Sequence, residues 1–376
     1  MRDVEVRQIS RHARVQRSRL FAAACAVALS FAAAGAATAQ LKPDTANVAT
    51  QEIEVTARPI ASFAKGAGTP AISPRLEWRG GLELASFSTL FGGWSGLALS
   101  PDGTRIVAVS DSGTWMTGEL VYDATRPRAL RSVRIGALAN LKGKPLARQR
   151  DRDAEAIRLL SGTPEKGTAL IAFEQVHRIG IFPIDAKGLG KPTSYLTMPK
   201  EAARMRMDGI EALAVLAGGP RKGAIVAFAE NPLRGEKVHR GWIWIGGTPR
   251  GFTVPDVEGF SITDAASLAD GSVLIVERRF RWLEGLKVRL RLLEPDGIKP
   301  GGTAMGEVLL EANNANAEID NLEALALSTG EDGETVITLM SDDNFNRFLQ
   351  RTLLLQFTLK DEPAEATAEA GKSAKK

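Results

Sequence analysis

Apolar and polar positions repeat along the chain between residues 90 and 345. Each copy of the repeat has a polar or acidic residue, a short aliphatic run, a turn containing glycine, a second aliphatic run and a second polar or acidic residue. The runs are too short for helices and sustain no 3.6-residue period, so they predict β-strands. The copies run from Ser95 to Asp111, Glu155 to Glu174, Glu211 to Glu230, Asp264 to Glu277 and Glu323 to Asp342.

The spacing of these copies predicts a β-propeller. The copies start 60, 56, 53 and 59 residues apart, and two more strand-like runs follow each pair, such as HRIGIFPI (177–184) and TSYLTMP (193–199). Four short strands per repeat are typical of a propeller blade. We therefore predict an all-β propeller of five blades, or of six if a diverged blade is hidden.

The first and last strands are predicted to close the ring. The last copy is followed by a single further strand, TLLLQFTL (352–359), so its blade is one strand short. The N-terminal run RLEWRGGLELA (75–85) is expected to complete that blade, which removes exposed sheet edges. The propeller should then occupy residues 57–360, after a linker at 40–56 and before a low-complexity, solvated tail at 361–376.

Residues 1–39 have the pattern of an export signal. Four arginines between Arg11 and Arg19 precede an uncharged apolar stretch, Leu20 to Ala34, and Ala37-Thr38-Ala39 forms a small-x-small cleavage site before Gln40. The alternative is an uncleaved membrane anchor, but the stretch is shorter than the roughly 20 residues that a spanning helix needs. We expect a periplasmic or secreted protein without a stable membrane span after cleavage.

Removing the signal changes the charge and the chemistry that remain. Residues 1–39 hold six arginines against two acids, so the remainder carries 42 basic and 42 acidic residues and lacks the basic footprint of a nucleic-acid partner. Cys25, the only cysteine, leaves with the signal, which excludes a disulfide framework. The two remaining histidines, His177 and His239, are too few for a multi-histidine metal centre.

The acidic ends of the repeats are predicted to meet at one mouth of the central channel. The first two strands of a blade run antiparallel, so the start of the first and the end of the second lie at the same face. In three copies these two acids are 19 residues apart, and Ser95/Asp111 and Asp264/Glu277 extend the ring to as many as nine carboxylates. Such crowding is costly unless a cation or arginines neutralise it. The alternative is that these acids are solvated turn residues.

Hard oxygen ligands are concentrated in EIDNLEAL (318–325) and SDDNFNR (341–347). Oxygen ligands without sulfur or imidazole suit Ca²⁺ or Mg²⁺. We therefore predict a divalent cation here, with Ca²⁺ as the first choice, although an Asx-rich turn that bonds its own backbone is the alternative. The candidate ligands are Asp320, Asn321, Glu323, Asp342 and Asp343.

A second cluster carries the candidate catalytic groups. Glu155, Glu174 and Arg178 are expected to share the rim, with His177 near, and Arg178 can hold a carboxylate or phosphate. One of the three arginines in VERRFRW (276–282) is also expected to face the rim. Ser95 lacks the glycine that a G-x-S-x-G nucleophile elbow places two residues after the serine, and it fills the slot that glutamate holds in other copies.

Several of these motifs together resemble one protein family. FGGWSGLAL, DAEAI, GIEALAVL, DNLEALAL and SDDNFN followed by QRTLLLQFTL occur in order, and over residues 75–360 the chain resembles the phytase-like, "esterase-like activity of phytase" family of exported bacterial proteins. The resemblance implies a periplasmic β-propeller with an acidic central site. The histidine-acid type of phytase is excluded because no R-H-G-x-R motif occurs.

These features lead to two functional hypotheses. The first is a metal-assisted hydrolase of small-molecule phosphate or carboxylic esters. Its cation would sit on the cluster of Asp320, Glu323 and Asp342, with Glu155 or Glu211 as general base and Arg178 holding the anion. The second is a non-catalytic binding or interaction propeller in which the cation or ion pairs lock the blades, because a propeller fold alone does not determine function.

The export signal generates the first prediction. Expression with secretion in a Gram-negative host should give a mature chain that begins at or near Gln40, because the small-x-small site precedes it. Intact-mass measurement of the secreted protein tests this. A mass that retains residues 1–39 would show that the segment is not a cleaved signal.

Overall fold

Short antiparallel β-strands make up almost all of the regular secondary structure in the described residues. The computed structural model describes residues 42–360 except 47, 67 and 206–208, so the predicted signal and tail lie outside the described residues. In this part of the chain helical structure is limited to short segments, an α-helical turn at Gln149–Arg152 and 3₁₀ segments at Lys200–Arg204 and Pro295–Gly297. No helix within these described ranges is long and apolar enough to cross a membrane.

The strands follow the alternation of apolar runs and glycine-containing turns that the sequence shows. In chain order they are β1 (Gln51–Ile53), β2 (Thr56–Ile60), β3 (Ala71–Ile72), β4 (Leu76–Ala85), β5 (Trp94–Leu99), β6 (Arg105–Ser110), β7 (Thr114–Asp123), β8 (Arg126–Ala137), β9 (Ala154–Thr163), β10 (Lys166–Phe173), β11 (Arg178–Asp185), β12 (Gly188–Leu189), β13 (Ser194–Tyr195), β14 (Ile210–Val215), β15 (Ile225–Ala229), β16 (Val238–Ile245), β17 (Thr248–Pro255), β18 (Ser261–Ser267), β19 (Val273–Arg281), β20 (Gly285–Leu293), β21 (Gly306–Asn313), β22 (Leu322–Thr329), β23 (Thr335–Ser341) and β24 (Thr352–Leu359).

These strands form five sheets that are the blades of a propeller. Their orders are β1-β8-β7-β6-β5 in blade 1, β12-β11-β10-β9 with β13 also on β11 in blade 2, β14-β15-β16-β17 in blade 3, β18-β19-β20-β21-β3 in blade 4 and β2-β4-β24-β23-β22 in blade 5. The inner strands β5, β9, β14, β18 and β22 contact one another in turn, and β22 returns to β5. The prediction of a five-bladed propeller is confirmed.

The N-terminal strands close and cover the ring. β4 pairs antiparallel with β24, from Leu84 opposite Thr352 to Leu76 opposite Leu359, so the predicted closure of the last blade is confirmed. β2 adds outside β4, and β1 pairs with β8 at the edge of blade 1. The segment interpreted from the sequence as a linker therefore packs on the propeller over its described part, where it covers otherwise unpaired strand edges.

The apolar core is divided into five layers, one between each pair of neighbouring blades. Inner and middle strands are buried on both faces, which is why they read as continuous aliphatic runs. Gly96 shows how closely the inner strands approach, since a Cβ atom there would come within 2.7 Å of the backbone nitrogen of Ile157. Glycine at this position lets β5 and β9 pack backbone against backbone.

A buried ion pair lies across the channel below the mouth. The Arg158 side chain of blade 2 lies 2.5 Å from the Asp264 carboxylate of blade 4. Arg158 also donates hydrogen bonds to the carbonyls of Leu97 and Ala265, and Asp264 accepts one from the backbone N–H of Leu325. The pair therefore joins four blades, and its hydrogen bonds compensate much of the cost of burying two charges.

Candidate functional site

A β-bulge near the start of each inner strand brings one side chain per blade to the same end of the channel. In every blade the register between the first two strands shifts by one residue, which leaves one residue of the first strand without a direct partner. Bulges of this kind re-aim a side chain. The bulged residues are Ser95, Glu155, Glu211, Thr263 and Glu323, and all are buried.

A second position per blade lies beside each bulge, at the end of the second strand. In four blades its backbone N–H donates to the carbonyl two residues before the bulge, as Glu174 does to Asp153 over 2.9 Å. In blade 4 the equivalent residue pairs with Ser261. The five residues are Asp111, Glu174, Glu230, Arg278 and Asp342.

The prediction for blade 4 is therefore wrong by one residue. The bulge falls at Thr263 and the strand-end position at Arg278, whereas the sequence placed Asp264 and Glu277 at the mouth. A one-residue shift turns a side chain to the other face of a sheet. Glu277 is instead buried within the blade and paired with Arg291 at 2.5 Å. Arg278 is thus the arginine of VERRFRW that faces the rim.

Two cations of the chain itself neutralise parts of this acidic mouth. The Lys42 ammonium lies 2.9 Å from Asp111 and 3.1 Å from Asp153, so it bridges blades 1 and 2. Burial alone would lower the pKa of Lys42, but these two carboxylates raise that pKa above its usual value. No sequence pattern signals Lys42, because it lies outside the repeat and reaches the mouth only through the packing of the N-terminal segment.

Arg278 is the second built-in cation. Its guanidinium lies 3.3 Å from Glu323 and 3.7 Å from Glu230, and it donates a hydrogen bond to the side-chain oxygen of Asn321. Burial opposes its charge, but Glu323 and Glu211 raise the pKa of Arg278. Arg278 therefore links blade 4 to blades 3 and 5.

The sector between blades 2 and 3 holds more carboxylates than Lys42 and Arg278 neutralise. In the described part of the chain, two groups of three acids have possible ligand oxygens within 4.8 Å of one another, namely Asp153, Glu155 and Glu174, and Glu174, Glu211 and Glu230. Glu155 and Glu211 are only 9% and 8% exposed. Among the described residues neither accepts a hydrogen bond or forms an ion pair, although buried carboxylates normally have such partners.

The mouth favours protonated carboxyl groups when no external cation is bound. Burial, followed by repulsion from Asp153, raises the pKa of Glu155 well above its usual value, and burial with Glu230 does the same to the pKa of Glu211. Burial and Asp153 raise the pKa of Glu174 to about 8. Burial raises the pKa of Asp111 to about 6, against the opposing charge of Lys42. Ionising these groups together costs free energy, which a divalent cation would offset.

The cation ligands predicted between residues 320 and 343 have other partners in the protein. Asp320 accepts hydrogen bonds from the backbone N–H groups of Asn321 and Arg351, and the amide of Asn321 donates to Glu323. Asp343 accepts from the backbone N–H groups of Gly93 and Phe345, which ties the last loop of blade 5 to blade 1.

Asp342, at the strand end of blade 5, likewise accepts a hydrogen bond from the backbone N–H of Asn344. These hydrogen bonds to nearby backbone N–H groups are typical of Asx turns, the alternative interpretation of this cluster. The binding of a cation by the five predicted ligands between Asp320 and Asp343 stays a prediction.

Arg178 and Ser95 do not occupy the positions expected of catalytic groups. The Arg178 guanidinium stacks on Phe173, 3.7 Å from the ring centroid, and donates to the backbone carbonyls of Val176 and Asp151, outside the mouth. The Ser95 hydroxyl donates to the carbonyl of its neighbour Gly93 over 3.4 Å, and not to a base. His177 contacts the carbonyl of Met205.

The chain is similar to a known protein family and to solved structures. A family model described as "Phytase-like: Esterase-like activity of phytase" matches residues 89–345. No curated protein matches the chain. Among 389 matching chains of solved structures is one titled "Structure of Dos1 propeller", with 10% sequence identity, coverage of 75% of this chain and 74% of that chain, and a TM-score of 0.35.

The raised carboxyl pKa values predict how stability depends on pH. Groups whose folded pKa is raised contribute stability below their unfolded pKa of about 4, and this stability is lost as the pH rises through the folded pKa. With Glu174 at about 8 and Asp111 at about 6, the melting temperature in chelator should fall between about pH 5 and about pH 8.5.

Added Ca²⁺ should reduce this fall, because the cation stabilises the ionised form. Glu211→Gln should also flatten the profile in chelator, since it removes one of the crowded carboxyl groups. Thermal denaturation followed by circular dichroism measures both effects. A melting temperature in chelator that rises steadily across this range would contradict the assignment.

Proposed function

Because the chain belongs to the phytase-like family, we propose that it is an exported, metal-assisted hydrolase of small-molecule phosphate or carboxylic esters. Its reaction would take place at the acidic mouth of the channel, between blades 2 and 3. The observation that supports this most directly is the pair Glu155 and Glu211, which are buried at the mouth and form no hydrogen bond or ion pair with the described residues.

The donor set fits a hard divalent cation. Only carboxylate oxygens are offered, which suits Ca²⁺ or Mg²⁺ rather than a softer metal. Of the two groups of three acids, the one formed by Glu174, Glu211 and Glu230 is preferred, because its ion pair within the protein, between Glu230 and Arg278, is the longer one at 3.7 Å. Asp153, in the other group, already binds Lys42 and accepts a hydrogen bond from Gln175. A bound cation would polarise the ester oxygen and lower the pKa of a coordinated water.

The remaining groups of the mouth have roles that follow from their positions. We assign the role of general base to Glu155, because it lies beside Glu174 and forms no hydrogen bond or ion pair with the described residues. Arg278 supplies a fixed positive charge at the mouth for the anionic part of the substrate, a role that the sequence assigned to Arg178. The Arg158–Asp264 pair closes the channel below, so we expect substrate to enter from the mouth only.

A non-catalytic role is favoured by a separate observation, the way in which charges join successive blades. Lys42 joins blades 1 and 2, and Arg278 joins blade 4 to blades 3 and 5. A cation between Glu174 and Glu211 would add the corresponding link between blades 2 and 3. On this second hypothesis the cation stabilises a binding propeller and catalyses nothing. A panel of chromogenic phosphate and carboxylic esters, assayed with Ca²⁺ and with chelator, separates the two functions.

Substitutions at equivalent bulge positions test the hydrolase proposal. Glu211→Gln removes a ligand, so cation affinity and ester turnover should fall together. Glu155→Gln should lower turnover by roughly 10²-fold or more, as expected for loss of a general base, while cation affinity stays within a few-fold. Isothermal titration with Ca²⁺ and steady-state kinetics measure the two quantities.

Ser95→Ala and Glu323→Gln are the matched controls in blades 1 and 5. Ser95→Ala should leave turnover within a few-fold, whereas loss of a serine nucleophile costs about 10⁶-fold. Glu323→Gln should affect cation affinity less than Glu211→Gln does. If Glu323→Gln alone abolishes cation binding, the cation lies on the 320–343 cluster. If Ser95→Ala alone abolishes turnover in folded protein, the serine is the nucleophile.

A further inference from the structure

A cavity of about 500 Å³ lies outside the acidic mouth, between blades 1 and 2. It is lined by the loop that leads from β8 to β9 and by the turn that follows β10. The same two segments supply Asp153 and Glu174 to the mouth. The cavity therefore opens beside the mouth, but its lining has the opposite charge.

Three basic side chains and a tyrosine line this cavity. They are Lys144, Arg148, Arg178 and Tyr195, and among the described residues the one acid in the lining is Asp151. Asp151 is already engaged by Arg148, which donates two hydrogen bonds to it. Lys144 and Arg178 form no ion pair with any described residue. The cavity thus carries positive charge that these residues do not neutralise.

Arg178 is held rigidly and is not paired with a carboxylate. Its guanidinium stacks on Phe173 and donates to the carbonyls of Val176 and Asp151, with the Tyr195 ring 5.9 Å away. The side chain is half-buried, and burial lowers its pKa. A guanidinium has five N–H donors; here two donor groups bind carbonyls and the Tyr195 hydroxyl accepts a further hydrogen bond, which still leaves donors for a ligand. Arginine fixed by stacking, with donors to spare, is well suited to binding a planar or tetrahedral oxyanion.

We propose that this cavity is a binding site for the phosphate or carboxylate group of a small molecule with a ring in its body. Arg178 and Lys144 bind the oxyanion, Arg148 adds charge at the edge, and Tyr195 contacts the ring. The site is separate from the proposed cation site, so its occupation does not require a bound metal. Its position beside the mouth suits a ligand that carries one anionic group away from the bond undergoing hydrolysis.

Binding of phenyl phosphate, benzoate and inorganic phosphate to the full mature chain in chelator tests the proposal. Titration calorimetry should show binding of phenyl phosphate that weakens as salt is raised. Comparison of the three probes shows whether a phosphate or a carboxylate is preferred and whether the ring contributes. Arg178→Gln should weaken phenyl phosphate binding by about tenfold or more, and Lys144→Gln by several-fold, as loss of charge-assisted hydrogen bonds implies.

Lys142→Gln is the matched control, because Lys142 is exposed in the same loop and does not line the cavity. This substitution should leave affinity unchanged. Arg178→Lys, checked for folding by its melting temperature, keeps the charge but loses the fork of donors and should bind less well than wild type. Glu211→Gln should bind phenyl phosphate normally even if it abolishes cation binding. No binding of any probe, or equal loss in the Lys142 and Lys144 variants, would overturn the proposal.

Discussion

Crowding of carboxylates at one end of the channel is the constraint that shapes this molecule's chemistry. The five bulges and the five adjoining strand ends deliver their side chains to the same mouth, whatever those side chains are. Most of them are acids, and burial makes their ionisation expensive. Lys42 and Arg278 offset part of that cost and protonation offsets more, and a cation held by the carboxylates between blades 2 and 3 would offset the rest.

The backbone repeats almost evenly around the ring, whereas the chemistry does not. Blade 4 has Thr263 and Arg278 where other blades have acids, and blade 1 has Ser95 in a glutamate position. These departures concentrate the unneutralised carboxylates in one sector. Beyond that sector, basic residues of the loop between β8 and β9 gather around Arg178. Negative and positive surfaces thus lie side by side in a chain whose charges balance outside the predicted signal.

The sequence predicted the propeller well, because short apolar runs with regular turns leave few other architectures. Closure by residues 75–85 was predictable since the last blade lacked a strand. The site was predictable only where the repeat is clear, as for Glu155 and Glu211. In the degenerate fourth copy the predicted register was wrong by one residue. Asp264 and Glu277 were therefore predicted at the mouth, where the structure has Thr263 and Arg278.

Contacts between segments distant in the chain were not predictable. Lys42 reaches Asp111 and Asp153 only because the N-terminal segment packs on blade 1, and no local pattern signals it. Arg178 follows Glu174 closely in sequence, yet stacking on Phe173 holds it outside the mouth. Asp320 and Asp343 have the residue types of ligands, but backbone N–H groups of neighbouring segments bind them.

The account depends most directly on where a divalent cation binds. Crystals of the mature protein, freed of metal with chelator and then soaked in Mn²⁺, can locate the ion by its anomalous scattering. We expect a peak among the carboxylates of Glu174, Glu211 and Glu230, with Lys42 still bound to Asp111 and Asp153. A peak on the cluster of Asp320 to Asp343 instead, or no peak at the mouth under conditions that saturate binding in solution, would contradict the account.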